Sequence, residues 1–548
     1  MKAVIIDGYV DEPALLGVPP YISPYVRYSA GVFRKWGVDY DYFTIDTIRR
    51  ENLWESFNNY DLLLLICGLT VPGHYVGGTP ITPGEIIRIF RSNEKPLRIL
   101  AGPVTLAYTM RGGSFAEILK GLEADFLVRG DVEAFLESFF EGEPDENKRS
   151  DYNLIDEIAH LGAEVVRKHP KFPFIICEME LSKGCERSSY CSFCTEPVLR
   201  GKLRSRSVKG VLREMKELYK EGCRAFRFGR TANIFAYGSD WNHWKPCPSV
   251  LEELFSEARK IAPDAIIHND NANPSHMIEY RRETVKILET IVRYNTEGDI
   301  LSFGVESFDE KVLKRNNIGS SPEDVLEAVR IVNEIGGVRV NGVPKILPGI
   351  NLLYGLIGES PETYRKNYEY LKKILDKGYL VRRINIRQVM IFPGTPLHRY
   401  YSVKRFKMNK SLFEKWKEKI REEIDRPMLK KVFPVGTVLK RVIPEYKKGK
   451  LTFGRQLGTY PILIGFPGNF EKPVDVLIVD HGRRSITGIR YPASINSMTV
   501  EELEMIPGIG KNLSRKIILE RPFKDWKDVE KVLGSNSTSH LKDLGITL

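Results

Sequence analysis

Leu181-Ser-Lys-Gly-Cys-Glu-Arg-Ser-Ser-Tyr-Cys-Ser-Phe-Cys-Thr-Glu-Pro197 is the stretch on which the reading of this chain turns. It holds three of the seven cysteines, Cys185, Cys191 and Cys194, in the spacing C-x5-C-x2-C. No fourth cysteine lies close by. Three thiolates from one loop suit an iron–sulfur cluster, with one iron left without a protein ligand. A structural zinc site asks for a fourth Cys or His at short spacing. The nearest histidines upstream, His160 and His169, do not supply that pattern. Zinc, or three plain buried thiols, remain the alternatives.

Working outward, strand-like segments at 172–179, 225–228, 265–270, 300–304, 351–356 and 384–391 alternate with helical patterns such as 207–221 and 322–335. Alternation of this kind predicts a parallel α/β unit over residues 173–400. The cysteine loop follows the first strand. That places it at the carboxyl end of the unit, where active sites of α/β barrels gather.

This loop, with Phe193 ahead of its last cysteine and a long α/β stretch behind it, resembles the radical S-adenosylmethionine (SAM) enzymes. The usual spacing there is C-x3-C-x2-C, so this chain has two extra residues in the first gap. Ser302-Phe-Gly-Val-Glu-Ser-Phe308 is similar to the family's fourth-strand Gly-x-Glu-Ser pattern, which implies that Glu306 and Ser307 contact SAM. Gly355-Leu-Ile-Gly-Glu-Ser-Pro-Glu-Thr363 looks like the turn after the fifth strand. Gln388-Val-Met-Ile-Phe-Pro-Gly-Thr-Pro-Leu397 looks like the sixth strand and its loop, which puts Phe392 and Pro393 near the adenine. The second strand departs from the family's Gly-Gly-Glu ending and reads Phe226-Arg-Phe-Gly-Arg-Thr-Ala-Asn233. Gly229 still lets backbone come close. Arg230 has the charge to face a carboxylate or phosphate, or to make a structural ion pair. The resemblance implies a partial (β/α)6 TIM-like barrel, a 4Fe-4S cluster on the three cysteines, and SAM cleaved to a 5′-deoxyadenosyl radical. It also implies an electron donor such as ferredoxin or flavodoxin.

The chain has 548 residues, too many for one core. Residues 1–145 alternate buried-looking strands (1–6, 39–43, 61–67, 97–101, 125–128) with helical stretches such as 83–91 and 114–122. They predict a Rossmann-like parallel sheet, with glycine-rich loops past the carboxyl ends of its strands. The domain resembles the N-terminal domains of methylthiotransferases and of cobalamin-dependent radical SAM enzymes, the latter through Val128-Arg-Gly-Asp-Val-Glu133. It has only Cys67 where methylthiotransferases carry three cysteines, and no D-x-H-x-x-G. Cobalamin is therefore a cofactor of the related layout without its histidine motif here, and His74 is more readily an ordinary loop residue. The polar run Glu141–Ser150 predicts an exposed connection, with 146–172 as a linker.

Net charge is +11, and its placement is uneven. Residues 401–548 hold 29 Lys and Arg against 17 Asp and Glu, while 1–400 hold 53 against 54. A basic end on a neutral body suits a polyanion, most often nucleic acid. The cations of Arg200-Gly-Lys-Leu-Arg-Ser-Arg-Ser-Val-Lys209 could meet phosphates, or form a solvated entry to a helix capped by Ser207. A Lys/Glu-rich helical connection (401–430) leads to short strands over 431–492, a small β-barrel. By its position it resembles the RNA-binding TRAM domain, with Arg441, Arg455, Arg483 and Arg484 as phosphate candidates. Residues 493–548 contain Ile506-Pro-Gly-Ile-Gly-Lys-Asn-Leu-Ser-Arg-Lys516, similar to a helix-hairpin-helix. There Gly508 and Gly510 make the turn, and Lys511 and Lys516 flank amides that can hold a phosphate.

No secretory signal opens the sequence, and 62–66 is too short to cross a bilayer, so the expectation is a cytoplasmic protein without a membrane partner. The resulting reading is a radical SAM enzyme acting on RNA, tRNA in particular. Its alternatives are a protein, DNA or metabolite substrate, or a non-catalytic iron–sulfur or zinc protein that binds nucleic acid.

Overall fold

The computed structural model describes residues 1–12, 15–68, 75, 77–109, 111–239 and 244–548. His74 lies outside them. The N-terminal sheet is wholly parallel, in the order Asp39–Thr44, Lys2–Asp7, Leu62–Ile66, Leu97–Ala101, Phe126–Val128. Leu62-Leu-Leu-Leu-Ile66 is apolar without alternation because both faces of this central strand are covered. Leu62, Leu64 and Ile66 pack with the helices Pro24–Lys35 and Val132–Phe140, and Leu63 and Leu65 with Pro83–Ser92. The Rossmann-like expectation is met.

Asp7 ends the first strand of this sheet, fully buried, accepting from Tyr9 N and Tyr42 Oη at 2.9 Å each. Burial pushes its carboxyl up to about 7, against the pull of these donors. An acid with a higher pKa folded than unfolded favours the fold while protonated. That contribution is complete below about 4 and is lost as pH rises through about 7. Asp7→Asn is expected to raise the urea midpoint at pH 8 and to flatten its dependence between pH 5 and 8. A midpoint no higher than that of the unsubstituted protein at pH 8 would refute this.

The second unit carries six parallel positions in chain order: Ile176–Glu180, Ala225–Gly229, Ile266–His268 continued by Asn271–Ala272, Asp299–Glu306, Ile346–Tyr354 and Arg383–Gln388. The fifth begins at Ile346, ahead of the expected 351, and runs through Pro348 and Gly349 because parallel neighbours hold it on both sides. The N-terminal domain supplies strands to both ends of this partial barrel. Tyr21–Ile22 pairs in parallel with the first barrel strand, and Ser114–Phe115 with Met390–Ile391 after the sixth. The helix expected over 114–122 is therefore absent. Its first residues are an edge strand recruited by the other domain, which local propensity does not report.

Where a linker is expected over 146–172, the chain folds into the helix Tyr152–Ile158 and the short helix Ala163–Lys168, with Ile155, Ile158, Val165 and Val166 buried. The polar run before it is also tied down, since Arg129 N and Gly130 N donate to Glu146 O at 2.8 and 2.7 Å.

After the helices Lys410–Ile420 and Arg426–Val432, five strands close a small barrel: Val438–Lys448, Leu451–Arg455, Leu463–Pro467, Val474–His481 and Ser485–Arg490. Their order round the barrel is first, second, third, fifth, fourth. Four short helices follow, Val500–Glu504, Lys511–Glu520, Trp526–Leu533 and Ser535–Asp543. Leu503, Ile517 and Val529 share a core with Leu477 and Ile489 of the barrel. This module caps the amino end of the large barrel. Thr459 N donates to His268 Nδ1 at 2.8 Å, and Tyr21 Oη bridges Gly458 O (3.3 Å) and Tyr460 N (3.1 Å). The Tyr460 ring sits between Arg383 and Arg227, 4.2 and 6.0 Å from its centre. Among the described residues no helix is long and apolar enough to cross a membrane.

Candidate functional site

The three cysteines lie on one loop directly past the first barrel strand. Cys185 is held in a bridge with Lys202, with Cys185 N to Gly201 O and Leu203 N to Cys185 O both 3.2 Å. Gly184 just before it has φ +86°, and a Cβ there would meet Lys202 O at 2.2 Å, so only glycine fits this approach. Ser192 pins the second half. Its N and Oγ donate to Asn316 O and Oδ1 at 2.9 and 2.7 Å, and its carbonyl accepts from Leu397 N at 2.8 Å. Loops after the fourth and sixth strands therefore hold the segment between Cys191 and Cys194. Phe193 packs against the apolar cluster of Val312, Leu356, Ile391 and Leu397 rather than standing free.

The three thiols lie within one another's field. Burial pushes Cys191 up to about 11, with Arg187 pulling against it, and raises Cys185 and Cys194 as well. Thiols so masked are poor free nucleophiles. Among the described residues no three Cys, His, Asp or Glu side chains converge on one ion. Three neighbouring but separate sulfurs suit the irons of a cluster better than a single zinc.

The first gap of the cysteine loop contributes Glu186 and Arg187, whose roles sequence reasoning missed. Arg187 Nη1 donates to Cys191 Sγ at 2.9 Å and Nη2 to Asn317 O at 2.6 Å. Glu186 accepts from Asn233 and Asn273 at 3.1 Å each, at the ends of the second and third strands. The unusual length of the gap is the signal that could have drawn attention to both.

Behind the loop lies a buried ionic network that joins the two domains. Lys183 sits 3.8 Å from Asp131 and 3.5 Å from both Glu133 and Glu180, all four side chains inaccessible. Arg200 pairs with the same Asp131 and donates to Tyr25 Oη at 2.7 Å. Arg230, in the left-handed region at φ +46°, meets Glu12 at 2.5 Å, Glu196 at 3.4 Å and Glu180 at 3.6 Å. Arg230 thus makes structural ion pairs, mainly through Nη1, while its Nε and Nη2 have no hydrogen-bond partner among the described residues. The Arg-Gly-Asp-Val-Glu133 segment docks the N-terminal domain onto the cysteine loop. The phosphate expectation for the run 200–209 also fails at Arg200 and at Arg206, which is buried against Asp156 and Glu214. Ser207 does cap the next helix, accepting from Gly210 N at 2.9 Å.

The residues expected to touch SAM divide. Gly229 ends the second strand, and a Cβ there would strike Glu178 Oε1 at 2.0 Å. Glu306 ends the fourth strand past a register shift, at φ +62°, strained for a non-glycine residue. Burial pushes its carboxyl up to about 7, against the pull of Arg387. Ser307 is buried, and its hydroxyl donates to Asn367 Oδ1 (3.3 Å) and accepts from Asp309 N (3.1 Å). Phe392 likewise packs on Ala107 and Ala116 of the N-terminal domain, with Pro393 half-buried beside it.

Of the expected phosphate contacts, Arg455 is paired with Glu445 at 2.9 Å, Arg483 with Glu418 and Glu422, and Arg484 with Asp425 at 3.9 Å. Arg441, at φ +54°, has no carboxylate on its guanidinium among the described residues, and its backbone N donates to Asp475 Oδ1 at 2.8 Å. It borders a cavity of about 190 Å³ between the two barrels, with Arg224, His268, Arg382 and Lys440. This cavity opens at the amino end of the large barrel, away from the cysteines. Gly508, Gly510, Lys511 and Lys516 are exposed, and Gly510 precedes the helix Lys511–Glu520 with no side-chain cap on its first amides.

The Radical SAM superfamily model matches residues 179–371, from the first barrel strand into the helix after the fifth. An uncharacterized protein of Methanocaldococcus jannaschii is 45% identical over 505 residues, covering 89% of this chain and 93% of its own length. The tRNA-2-methylthio-N(6)-dimethylallyladenosine synthase of Protochlamydia amoebophila is 24% identical over 234 residues, 40% of this chain and 48% of that protein. The radical SAM methyltransferase TsrM from Kitasatospora setae superposes with a TM-score of 0.47 at 15% identity, covering 73% of this chain and 77% of that one. With the cysteine loop at the mouth of a six-stranded partial barrel and this match over its core, the chain carries a domain of the radical SAM superfamily over residues 179–371.

Proposed function

We propose that this protein is a radical SAM enzyme that modifies RNA, with tRNA as the substrate. The observation that carries this reading is the joining, in one chain, of the three-cysteine barrel to a closed five-stranded barrel and an exposed helical hairpin. Cys185, Cys191 and Cys194 would hold a 4Fe-4S cluster, and Gly229 and Glu306 would line the SAM site. Bound there, cluster and SAM supply one-electron cleavage of the C5′–S bond. The chain's own part is to orient and enclose. The N-terminal domain adds a strand at each edge of the barrel, and its docking at Lys183, Arg200 and Arg230 buries the base of the loop.

RNA as partner is supported by the strand order of the small barrel, which is that of oligonucleotide-binding five-stranded barrels. The exposed amides and lysines at Gly510 and Lys511 resemble a helix-hairpin-helix phosphate site. The similarity of 40% of this chain to a tRNA-2-methylthio-N(6)-dimethylallyladenosine synthase points the same way. The test is nucleoside mass spectrometry of tRNA and rRNA from parent and deletion strains. One modified nucleoside lost on deletion, and restored by the intact gene but not by a Cys191→Ala copy, is the expected result. Identical nucleoside profiles would refute an RNA substrate. A protein substrate is the second reading, favoured by the carboxylates that already occupy Arg455, Arg483 and Arg484.

A further inference from the structure

The cavity of about 190 Å³ between the two barrels has a basic wall without matching counter-charges. Arg382 directly precedes the sixth strand of the large barrel, its N donating to Pro348 O at 2.8 Å. Alternation along the strand turns Arg383 inward onto the Tyr460 ring and Arg382 outward to the cavity. The Arg382 guanidinium lies 4.6 Å from the centre of the Phe433 ring. Its Nη2 reaches Tyr460 O at a long 3.5 Å, and its Nε is buried with no partner among the described residues. Burial, with Arg383 alongside, pulls its pKa down to about 10. Thr459 lines the same space, and its hydroxyl is buried and unpartnered among the described residues.

The other charges of the lining leave an excess of cations. Lys440 and Arg441 stand exposed on the small-barrel side, with no carboxylate on either side chain among the described residues. Asp264 is paired with Arg224 at 3.3 Å, which leaves Glu297 alone against Arg382, Lys440 and Arg441. His268 adds no charge. Burial lowers its pKa, and both ring nitrogens are engaged, Nδ1 by Thr459 N at 2.8 Å and Nε2 by Glu297 O at 3.3 Å.

A desolvated guanidinium without an anion is costly, and buried charges are ordinarily paired. The size of the space decides what can pair this one. It equals roughly six times the share of one water in the liquid, about 30 Å³. It is also smaller than pockets for drug-sized ligands, which span about 300–1,000 Å³. Such a space is too small for a whole cofactor and suits a single phosphate group with a few waters. Guanidinium, ammonium and hydroxyl donors converging from separate elements are what phosphate oxygens accept.

We propose that this cavity binds a phosphate group, with Arg382 as its buried anchor, Arg441 and Lys440 as outer contacts and the Thr459 hydroxyl as a neutral donor. The site lies at the barrel end opposite the cysteines and is independent of the chemistry proposed there. The phosphate belongs either to a small phosphorylated molecule or to the backbone of an RNA on the small barrel, and the recognition is the same.

The experiment titrates phosphate-free full-length protein with inorganic phosphate by calorimetry, against chloride at matched ionic strength. Saturable binding is expected. Arg382→Gln should weaken it by about tenfold to a hundredfold, the range for loss of a charged hydrogen bond. Arg441→Gln should weaken it by up to about fivefold, as for an exposed ion pair. Phosphate should raise the melting midpoint of the unsubstituted protein and not that of Arg382→Gln. Should Arg382→Gln not fold, weakened phosphate binding by Arg441→Gln and Thr459→Val carries the test, and undiminished binding by both refutes the site. A second arm adds tRNA. Competition by phosphate, together with a tRNA affinity lowered by Arg382→Gln and a salt slope shallower by about one, assigns the phosphate to an RNA backbone. A tRNA affinity indifferent to both assigns it to a small phosphorylated molecule. No saturable phosphate binding by the unsubstituted protein, or undiminished binding by Arg382→Gln, overturns the proposal and leaves the radical SAM reading standing.

Discussion

Replacing any one of Cys185, Cys191 or Cys194 by alanine is expected to strip the reconstituted protein of its cluster and to bring 5′-deoxyadenosine formation from SAM down to background. Each thiol would hold its own iron, and among the described residues no group of three Cys, His, Asp or Glu side chains is placed to hold a metal instead. The other cysteines provide the control. Cys67, Cys177 and Cys223 are buried in apolar cores, and Cys177 and Cys223 contact each other at 3.3 Å. Cys247 is half-exposed and also apart from the loop. Their substitution should cost packing and leave iron content intact. Iron per chain and the visible spectrum decide the matter. A full cluster in a Cys191→Ala or Cys194→Ala protein would remove the basis of the proposed chemistry.

The second large effect is expected at Arg230. Arg230→Met removes the guanidinium that, among the described residues, Glu12, Glu180 and Glu196 share, all three nearly inaccessible. Breaking one partner out of a buried ionic cluster costs about 3–5 kcal/mol, because the remaining charges stay desolvated and unbalanced. The urea midpoint should fall accordingly. Adding Glu12→Gln to Arg230→Met should recover part of the loss, since the two groups are directly coupled. A midpoint unchanged by Arg230→Met would mean that the network is solvated and does not weld the N-terminal domain to the barrel. Limited proteolysis at the connection over 141–150 would report that weld independently.

Much of the architecture was legible in the sequence because each element advertises its own faces. Alternating strand and helix patterns mark the two α/β units, and the apolar run at 62–66 marks a strand buried on both sides. Three cysteines after a first strand mark the mouth of the barrel. What periodicity cannot carry is the identity of the opposite partner. Ser114–Phe115 becomes an edge strand only because Met390–Ile391 offers it an open ladder. Arg200, Arg206 and Arg230 look like phosphate ligands until carboxylates from distant segments are placed beside them. The sequence by itself determined the kind of metal loop, the parallel barrel behind it and the small β-barrel at its end. Tertiary structure alone decided that the N-terminal domain adds a strand at each edge of the barrel, and that the small barrel sits at the end opposite the cysteines. It also decided that Glu186, among the described residues, has no cation in ion-pair range. Those outcomes depend on charges and ladder edges meeting across the chain, and no local pattern encodes such meetings.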